Sequence, residues 1–285
     1  MIDAGNRTGK RLSSIGIHTL LIVVSVTCLY PFFWILANTF KPNAEILRNE
    51  NLLATLIPNQ PSWANYTKVL FQYDFHIYVL NSVIYTAASV VLGITLGVLI
   101  AYAVSFHRFP LRNAVYTAII ITMMVPMPGI FIPKYIIISQ LGLLNSRIGL
   151  ILPYATTLIP LTLFIVKNFM DSIAKEMMEA ATIDGCNKWN KLWMIVIPLT
   201  RPAIATVAIF HVRAIWNEWL LPSLTITNTK LHPIQSGLMK FQDEHFIDYS
   251  LTMTGLVVSM LPLLLMFFLL QKHIIQGISS GALKG

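Results

Sequence analysis

Six long runs of apolar residues, separated by shorter polar segments, dominate the chain. They cover residues 15–37, 80–106, 114–132, 148–166, 202–221 and 251–270. A helix needs about 20 mostly apolar residues to cross the hydrocarbon core of a bilayer, and each run is about that long. The pattern therefore predicts an all-α integral membrane protein with six transmembrane helices, organised as a single domain over residues 1–285.

The third run is interrupted by the prolines Pro126, Pro128 and Pro133, with Gly129 among them. Proline removes a helix hydrogen bond and bends the helix. Backbone groups freed at membrane depth must be satisfied by protein or by water. One interpretation is therefore a broken span that lines a cavity or a gate. The other is a helix that ends near Val125 and is followed by an interfacial stretch.

Composition supports the membrane assignment and argues against a nucleic-acid partner. The chain is 55% hydrophobic and only 11% charged, less than half of the roughly 25% that is usual for soluble domains. Its formal net charge is +8, but the charges lie in short segments between the apolar runs. Anionic lipid headgroups and membrane topology explain that distribution better than a nucleic-acid groove does. We therefore expect membrane lipid, and no nucleic acid, among the partners.

The positions of lysine and arginine predict the orientation in the membrane, because cytoplasmic loops carry an excess of them. If the N-terminal tail is cytoplasmic, twelve basic residues lie inside: Arg7, Lys10, Arg11, Arg108, Arg112, Lys167, Lys175, Lys188, Lys191, Arg201, Lys272 and Lys284. Seven lie outside: Lys41, Arg48, Lys68, Lys134, Arg147, Lys230 and Lys240. This bias predicts that both termini are cytoplasmic.

Residues that could carry catalysis or bind a metal are sparse. The two cysteines, Cys28 and Cys186, are far apart, and the seven histidines do not have the spacing of metal ligands. No GxxxxGK[ST] phosphate-binding loop occurs in the sequence. We therefore expect no metal site, no catalytic residue and no cofactor bound by this chain, which would then not be an enzyme.

The segment of residues 171–202 is longer and more charged than the other polar segments. Residues 173–183 are largely good helix formers, and Gly185 can take the left-handed conformation that closes a helix. Apolar residues then recur at helical spacing at Trp189, Leu192, Trp193 and Val196, and Pro198 is expected to end this second helix. The arrangement suits a rigid knob presented to a cytoplasmic partner, and equally a helix anchored at the membrane surface.

The residues of this segment resemble the coupling loop of bacterial ATP-binding-cassette import permeases. The matching elements are Glu179-Ala180-Ala181, then Asp184-Gly185, and then Pro198-Leu199 after a hydrophobic helix. Cys186 departs from the pattern, in which alanine is usual, but both side chains are small. The resemblance implies a type I importer permease fold with a cytoplasmic helical coupling loop. In such a fold the coupling to the ATPase falls to Glu179, Ala180, Ala181, Asp184, Gly185 and Pro198.

Other segments resemble the carbohydrate branch of this group, the maltose-type inner-membrane permeases. They are Tyr30-Pro31 through Phe40-Lys41, Trp216-Asn217-Glu218 followed by Leu220-Leu221-Pro222, and the tail of residues 277–285. The resemblance extends over essentially the whole chain. It implies transport of a sugar or an oligosaccharide across the bacterial inner (cytoplasmic) membrane.

The same resemblance implies several partners. They are a second, homologous permease subunit that forms the other half of the translocation pathway, two cytoplasmic ATP-binding-cassette ATPase subunits, and an extracytoplasmic solute-binding protein. ATP and Mg²⁺ are then expected on the partner ATPase and not on this chain.

The sequence leaves two possible roles open for each of the individual site residues. Glu179 is either an ion-pair anchor for an arginine of the ATPase or an exposed helix charge, and Asp184 either contacts the partner or caps the turn. Arg213 and Glu218 fall within the fifth predicted span, where ionisable side chains are costly. Together with Asn217 they either line the translocation pathway or the permease interface, or they reach to the membrane surface.

Two further function classes compete with the importer permease. One is a secondary transporter driven by an ion gradient, but such folds commonly carry internal repeats and more spans. The absence of a convincing repeat and the oversized charged loop argue against it. The other is a membrane scaffold or channel subunit, which would not co-purify with an ATPase in stable proportion.

Overall fold

The computed structural model describes residues 4–48, 56–241 and 247–282, and it confirms the all-helical membrane fold. Within these residues, helices long and apolar enough to cross a membrane are Ser14–Asn38, Phe75–Phe106, Ile148–Met170, Lys188–Trp216 and Tyr249–Phe268. The sixth candidate is a pair of helices, Arg112–Met124 and Gly129–Gln140, which meet at an angle of 111°. The six predicted apolar runs therefore all correspond to helical structure, and the third is bent.

The α-helices are numbered here in chain order. They are α1 Ala4–Asn38, α2 Asn43–Arg48, α3 Ala64–Thr67, α4 Phe75–Phe106, α5 Arg112–Ile121, α6 Met127–Gln140, α7 Ile148–Met170, α8 Lys175–Ile183, α9 Lys188–Lys191, α10 Ile197–Trp216, α11 Leu220–Thr225, α12 Ile234–Leu238 and α13 Tyr249–Ala282. Wider π-helical turns occupy Lys68–Gln72 and Leu192–Val196, and short 3-10 turns occupy Thr122–Met124, Thr229–Leu231 and Met239–Phe241.

The chain divides into two compact units. The first comprises Met1–Asp74 and Phe241–Val258, and the second comprises Phe75–Lys240 and Ser259–Gly285. In the first unit, the side-chain amide of Asn65 donates to the carbonyl oxygens of Thr39 and Lys41, at 2.8 Å each. These bonds fix the chain directly after the end of α1, because they give partners to two backbone carbonyl groups of the turn that follows the helix.

Three helices, α4, α7 and α10, form the core of the second unit, and small residues on α4 allow α7 to approach closely. A Cβ atom placed on Gly97 would lie 2.6 Å from Cβ of Thr162, and one on Gly93 would lie 2.8 Å from the carbonyl oxygen of Ala155. Gly93 and Gly97 are four residues apart, the spacing of the GxxxG packing motif of membrane helices.

The third helix of the core is joined to the other two by a buried polar contact. Nε2 of His211 on α10 lies 2.7 Å from Oγ1 of Thr162 on α7, and both side chains are almost fully buried. Thr162 also donates to the carbonyl oxygen of Leu158, one turn earlier. A polar pair in an apolar core is costly unless both groups are satisfied, so this bond favours one relative placement of α7 and α10.

The break in the third span falls at Val125 and Pro126, whose backbones are extended with ψ values of 124° and 130°. The helix therefore ends where the second interpretation placed its end, but a further helix, α6, follows it. Pro128 lies in the first turn of α6, where a missing N–H costs nothing. Two helices that meet at 111° have the geometry of a broken span or of a re-entrant loop, and the roles of a cavity or a gate stay predictions.

The close approach of α4 to α7 predicts that Gly97→Ala lowers the stability of the protein. The added methyl group would overlap Thr162, and such overpacking typically costs about 1–3 kcal/mol. The matched control is Gly16→Ala, because a Cβ atom at Gly16 meets nothing within 4 Å. Thermal unfolding in detergent should give a lower midpoint for Gly97→Ala only. Equal midpoints for the two variants would contradict the packing described here.

Candidate functional site

The coupling segment, residues 171–202, begins with helix α8 and a turn built around Gly185. Gly185 has φ +80°, and its N–H donates to the carbonyl oxygen of Thr182 at 3.1 Å. The N–H of Cys186 donates to the carbonyl oxygen of Ala181 at 2.9 Å. This pair of bonds is the Schellman motif, which ends a helix by a reversal at a left-handed residue. The predicted role of Gly185 in closing the helix is confirmed.

The residues around the turn are presented outwards. Ile183 is 87% exposed, and the side chains of Glu179, Ala180 and Asp184 are exposed as well. Space is open around Gly185, since a Cβ atom there would meet nothing within 4 Å. Exposed apolar surface next to a rigid reversal is typical of a contact site for another protein.

Ala181 differs from its neighbours because it faces inwards and is only 6% exposed. Helix α8 starts at Lys175 and not at residue 173, because Ala174 before it is extended with ψ 131°. The segment is held to the core from within. Oη of Tyr102, on α4, donates to the carbonyl oxygen of Lys188 at 2.8 Å, and Nζ of Lys191 contacts Oγ1 of Thr182.

Pro198 does not end the second helix, so that prediction was wrong. The side chain of Asn187 caps α9 by accepting from the N–H of Asn190 at 2.8 Å, and the helical chain then continues from Lys188 to Trp216. A wider π-helical turn, Leu192–Val196, lies directly before the proline. Such a turn changes which carbonyl each N–H would meet, and so accommodates a residue that lacks the donor.

The same π-helical turn divides the predicted apolar face in two. Leu192 and Val196 are buried against the core, but Trp189 and Trp193 are each 61% exposed. The expectation that all four share one face was therefore wrong, because it assumed regular α-helical spacing throughout. The two exposed tryptophans, four residues apart, form an apolar strip beside the turn.

The second group of predicted site residues, Arg213, Asn217 and Glu218, lies at the other end of α10. This helix ends at Trp216, so Asn217 and Glu218 lie beyond the fifth span and not within it. Arg213 and Asn217 are exposed, and Glu218 is half-buried. The structure does not bring Arg213 and Glu218 together, because the carboxylate of Glu218 bonds to Tyr154, Leu220 and Leu221 instead.

Glu218 is held in place by three hydrogen bonds. Oε2 accepts from Oη of Tyr154 at 2.5 Å, and Oε1 accepts from the N–H groups of Leu220 and Leu221 at 2.8 and 3.0 Å. The two backbone bonds satisfy N–H groups at the start of α11, because the first N–H groups of a helix have no acceptor within it. Glu218 is therefore neither a fully solvated charge nor a mid-span charge, and it fixes the path of the chain after α10.

Sequence reasoning missed two polar groups in this part of the protein. Lys134, expected in an outer loop, lies in α6, and its Nζ donates to Oγ1 of Thr157 at 2.8 Å. His211 is the buried histidine of the core. His211 stands within the fifth predicted run and Lys134 just after the third, among apolar residues, and that position is the signal that could have identified them.

The structure is thus a helical protein with several candidate spans and a fixed turn between two of them. The family described as binding-protein-dependent transport system inner membrane component matches residues 93–280, and this chain belongs to that family. The resemblance to carbohydrate import permeases of the ATP-binding-cassette type is confirmed, and so is the type I permease fold.

Two curated relatives align with nearly the whole chain. The diacetylchitobiose uptake system permease protein NgcG of Streptomyces coelicolor is 31% identical over 283 residues, which cover 99% of this chain and 92% of NgcG. The trehalose/maltose transport system permease protein MalG of Thermococcus litoralis is 30% identical over 267 residues, covering 93% of this chain and 94% of MalG.

A solved structure extends the similarity to three dimensions. A chain of a bacterial ABC transporter involved in the import of the acidic polysaccharide alginate superposes with a TM-score of 0.79 and 25% sequence identity. The superposition covers 93% of this chain and 98% of that chain.

Two substitutions of Glu218 separate a structural role from a role of its charge. Glu218→Leu removes all three hydrogen bonds, so we expect lower thermal stability and lower uptake, because the loss of partners for buried donors costs about 1–3 kcal/mol each. Glu218→Gln keeps an oxygen for the two N–H groups. If the charge lines the translocation pathway, Glu218→Gln should lower uptake with the unfolding midpoint unchanged. Wild-type uptake by Glu218→Gln would contradict the pathway role.

Proposed function

We propose that this chain is the permease subunit of an ATP-driven importer for a sugar or an oligosaccharide and that it forms half of the translocation pathway. The membership in an inner-membrane transport family supports this proposal. The substrate class follows from the names of relatives, which are uptake systems for diacetylchitobiose and for trehalose and maltose. A secondary transporter or a scaffold does not account for that membership.

The proposal assigns the missing components to other chains. A second, homologous permease supplies the other half of the pathway, two cytoplasmic ATPase subunits bind ATP and Mg²⁺, and an extracytoplasmic binding protein delivers the solute. This chain is then a non-catalytic subunit without a cofactor of its own. It lies in the inner membrane with both termini and the coupling segment in the cytoplasm, as the placement of its basic residues favours.

The single observation that carries the coupling role is the turn at Gly185. The turn is rigid because two Schellman hydrogen bonds close it, and it is open because no atom of this chain occupies the space over Gly185. Exposed Ile183 adds apolar surface beside it. A rigid, apolar knob of this kind suits insertion into a cleft of the ATPase. Asp184 lies at the end of the helix, and Glu179 lies about one and a half turns before it.

The alternative interpretation of the coupling segment, a helix anchored at the membrane surface, applies to a different part of the segment. Trp189 and Trp193 expose an apolar strip one helix further on, and tryptophan is enriched where membranes meet water. The two roles are therefore compatible: the tryptophans hold the base of the segment at the membrane surface, and the turn contacts the ATPase. Glu179 serves as an ion-pair anchor for a basic residue of that partner.

Gly185→Val should weaken association with the ATPase or uncouple ATP hydrolysis from uptake. A branched residue in the left-handed conformation costs about 1–2 kcal/mol, and its side chain would enter the space reserved for the partner. Glu179→Ala should have the same effect in milder form. The measurement is the ATPase activity and the sugar uptake of the reconstituted assembly, with co-purification of the ATPase beside them.

Gly142 provides a matched control for this substitution. It also has a positive φ, +68°, its surroundings are open within 4 Å, and the same pair of Schellman bonds closes its turn. Gly142→Val therefore introduces the same backbone strain at the opposite end of the spans. Coupling should be lost with Gly185→Val and retained with Gly142→Val. Wild-type coupling in Gly185→Val would refute the proposed role of the turn.

A further inference from the structure

A cleft of about 690 Å³ lies behind the coupling segment, and of its lining residues only Glu179 has a part in the proposed coupling role. Its walls are the end of α4, the start of α5, the end of α7, one face of α8, and α9. Pockets for small ligands have volumes of about 300–1,000 Å³, so the cleft can hold a ligand of headgroup size. It lies where three membrane helices end.

The cleft is strongly basic. Five cationic side chains line it, namely Arg108, Arg112, Lys175, Lys188 and Lys191. The carboxylates at the cleft are Asp171, which is paired with Lys167, and Glu179. Burial lowers the pKa of His107, which also lines the cleft, and the charges of Lys188 and Lys191 lower that pKa further. Two of the five cations therefore act on the same group at the wall of the cleft.

Two buried polar atoms at the cleft lack a hydrogen-bond partner in the part of the chain that the structure describes. They are Oγ of Ser105 and Nε of Arg112. Buried polar groups are nearly always satisfied, and an unsatisfied group indicates a water, an ion or a ligand that completes the site. Helix α5 also begins at Arg112 without a side-chain cap, and the start of a helix favours an anion.

The apolar part of the cleft distinguishes between possible anions. Phe106, Met170 and Met178 contribute apolar side chains next to the cations. A free phosphate ion needs no apolar surface, whereas a phospholipid places its phosphate at the membrane surface and its acyl chains along the helices. Basic pockets between membrane helices on the cytoplasmic side are typical binding sites for anionic headgroups.

We propose that this cleft binds the headgroup of an anionic phospholipid of the cytoplasmic leaflet. Arg108 and Arg112 contact the phosphate, and Lys188, at the start of α9, joins the lipid to the coupling segment. The lipid thereby braces α8 and the turn against the ends of α4 and α7. The inference rests on the proposed cytoplasmic location of the coupling segment.

The test uses the assembled importer, reconstituted in bilayers of phosphatidylcholine mixed with phosphatidylglycerol. After extraction, native mass spectrometry counts the phosphatidylglycerol molecules that stay bound. The double variant Arg108→Gln/Arg112→Gln should retain less of this lipid, by roughly fivefold for each cation removed. Arg201→Gln, an exposed cation of the same segment that does not line the cleft, should retain the wild-type amount.

A variant that conserves the charges and a competition with phosphate identify what the cleft binds. Arg108→Lys/Arg112→Lys keeps the charges and should retain phosphatidylglycerol, and excess inorganic phosphate should not displace it. Displacement by phosphate would overturn the proposal of a lipid site and would indicate a site for a free anion. Unchanged retention in the glutamine variant would overturn the site. Loss of ATPase co-purification with lipid retention intact would assign the cleft to the ATPase instead.

If Arg108→Gln/Arg112→Gln does not assemble, a second double variant, Lys175→Gln/Lys188→Gln, is used. It removes two cations from the other wall of the cleft and should also retain less phosphatidylglycerol than the wild type. The inference fails separately from the proposed function. Gly185→Val changes coupling but leaves all five cations in place, so its phosphatidylglycerol retention should equal that of the wild type.

Discussion

Helices α4 and α7 approach so closely that no side chain fits between them at Gly93 and Gly97. In a bilayer, apolar side chains gain little by leaving lipid, so helix association depends on close packing and on polar contacts. The bond between His211 and Thr162 then fixes α10 against the same pair. The position of the coupling segment follows from this core, because the segment connects α7 to α10.

The continuity of α9 with α10 gives the coupling segment a mechanical connection to the membrane. The helix from Lys188 to Trp216 has 29 residues and is about 43 Å long at 1.5 Å per residue. The turn at Gly185 lies directly before this helix, so we expect a displacement of the turn to be passed along it to the outer end of α10. There, Glu218 ties the chain to Tyr154 on α7. One continuous helix thus extends from just after the turn at Gly185 to just before Asn217 and Glu218.

Much of this could be predicted from sequence, because spans require long apolar runs and a helix that reverses requires a residue such as Gly185. The errors arose where local rules assumed regular α-helix. Pro198 does not stop the helix because a π-helical turn precedes it, and the same turn exposes Trp193. One of the three bonds of Glu218 comes from Tyr154, 64 residues earlier, and no local pattern indicates such a contact. The four-residue spacing of Gly93 and Gly97 is visible in the sequence and could have predicted the close packing of α4 on another helix.

The central claim is that the turn between α8 and α9 contacts a cytoplasmic ATPase. The most direct test places a photo-crosslinking amino acid at Ile183, which is 87% exposed, in the assembled importer. Leu141, 64% exposed beside the matching turn at Gly142, receives the same group as a control. The account predicts a crosslink from position 183 to the ATPase and none from position 141. An assembled, active importer in which position 183 gives no crosslink to the ATPase would contradict it.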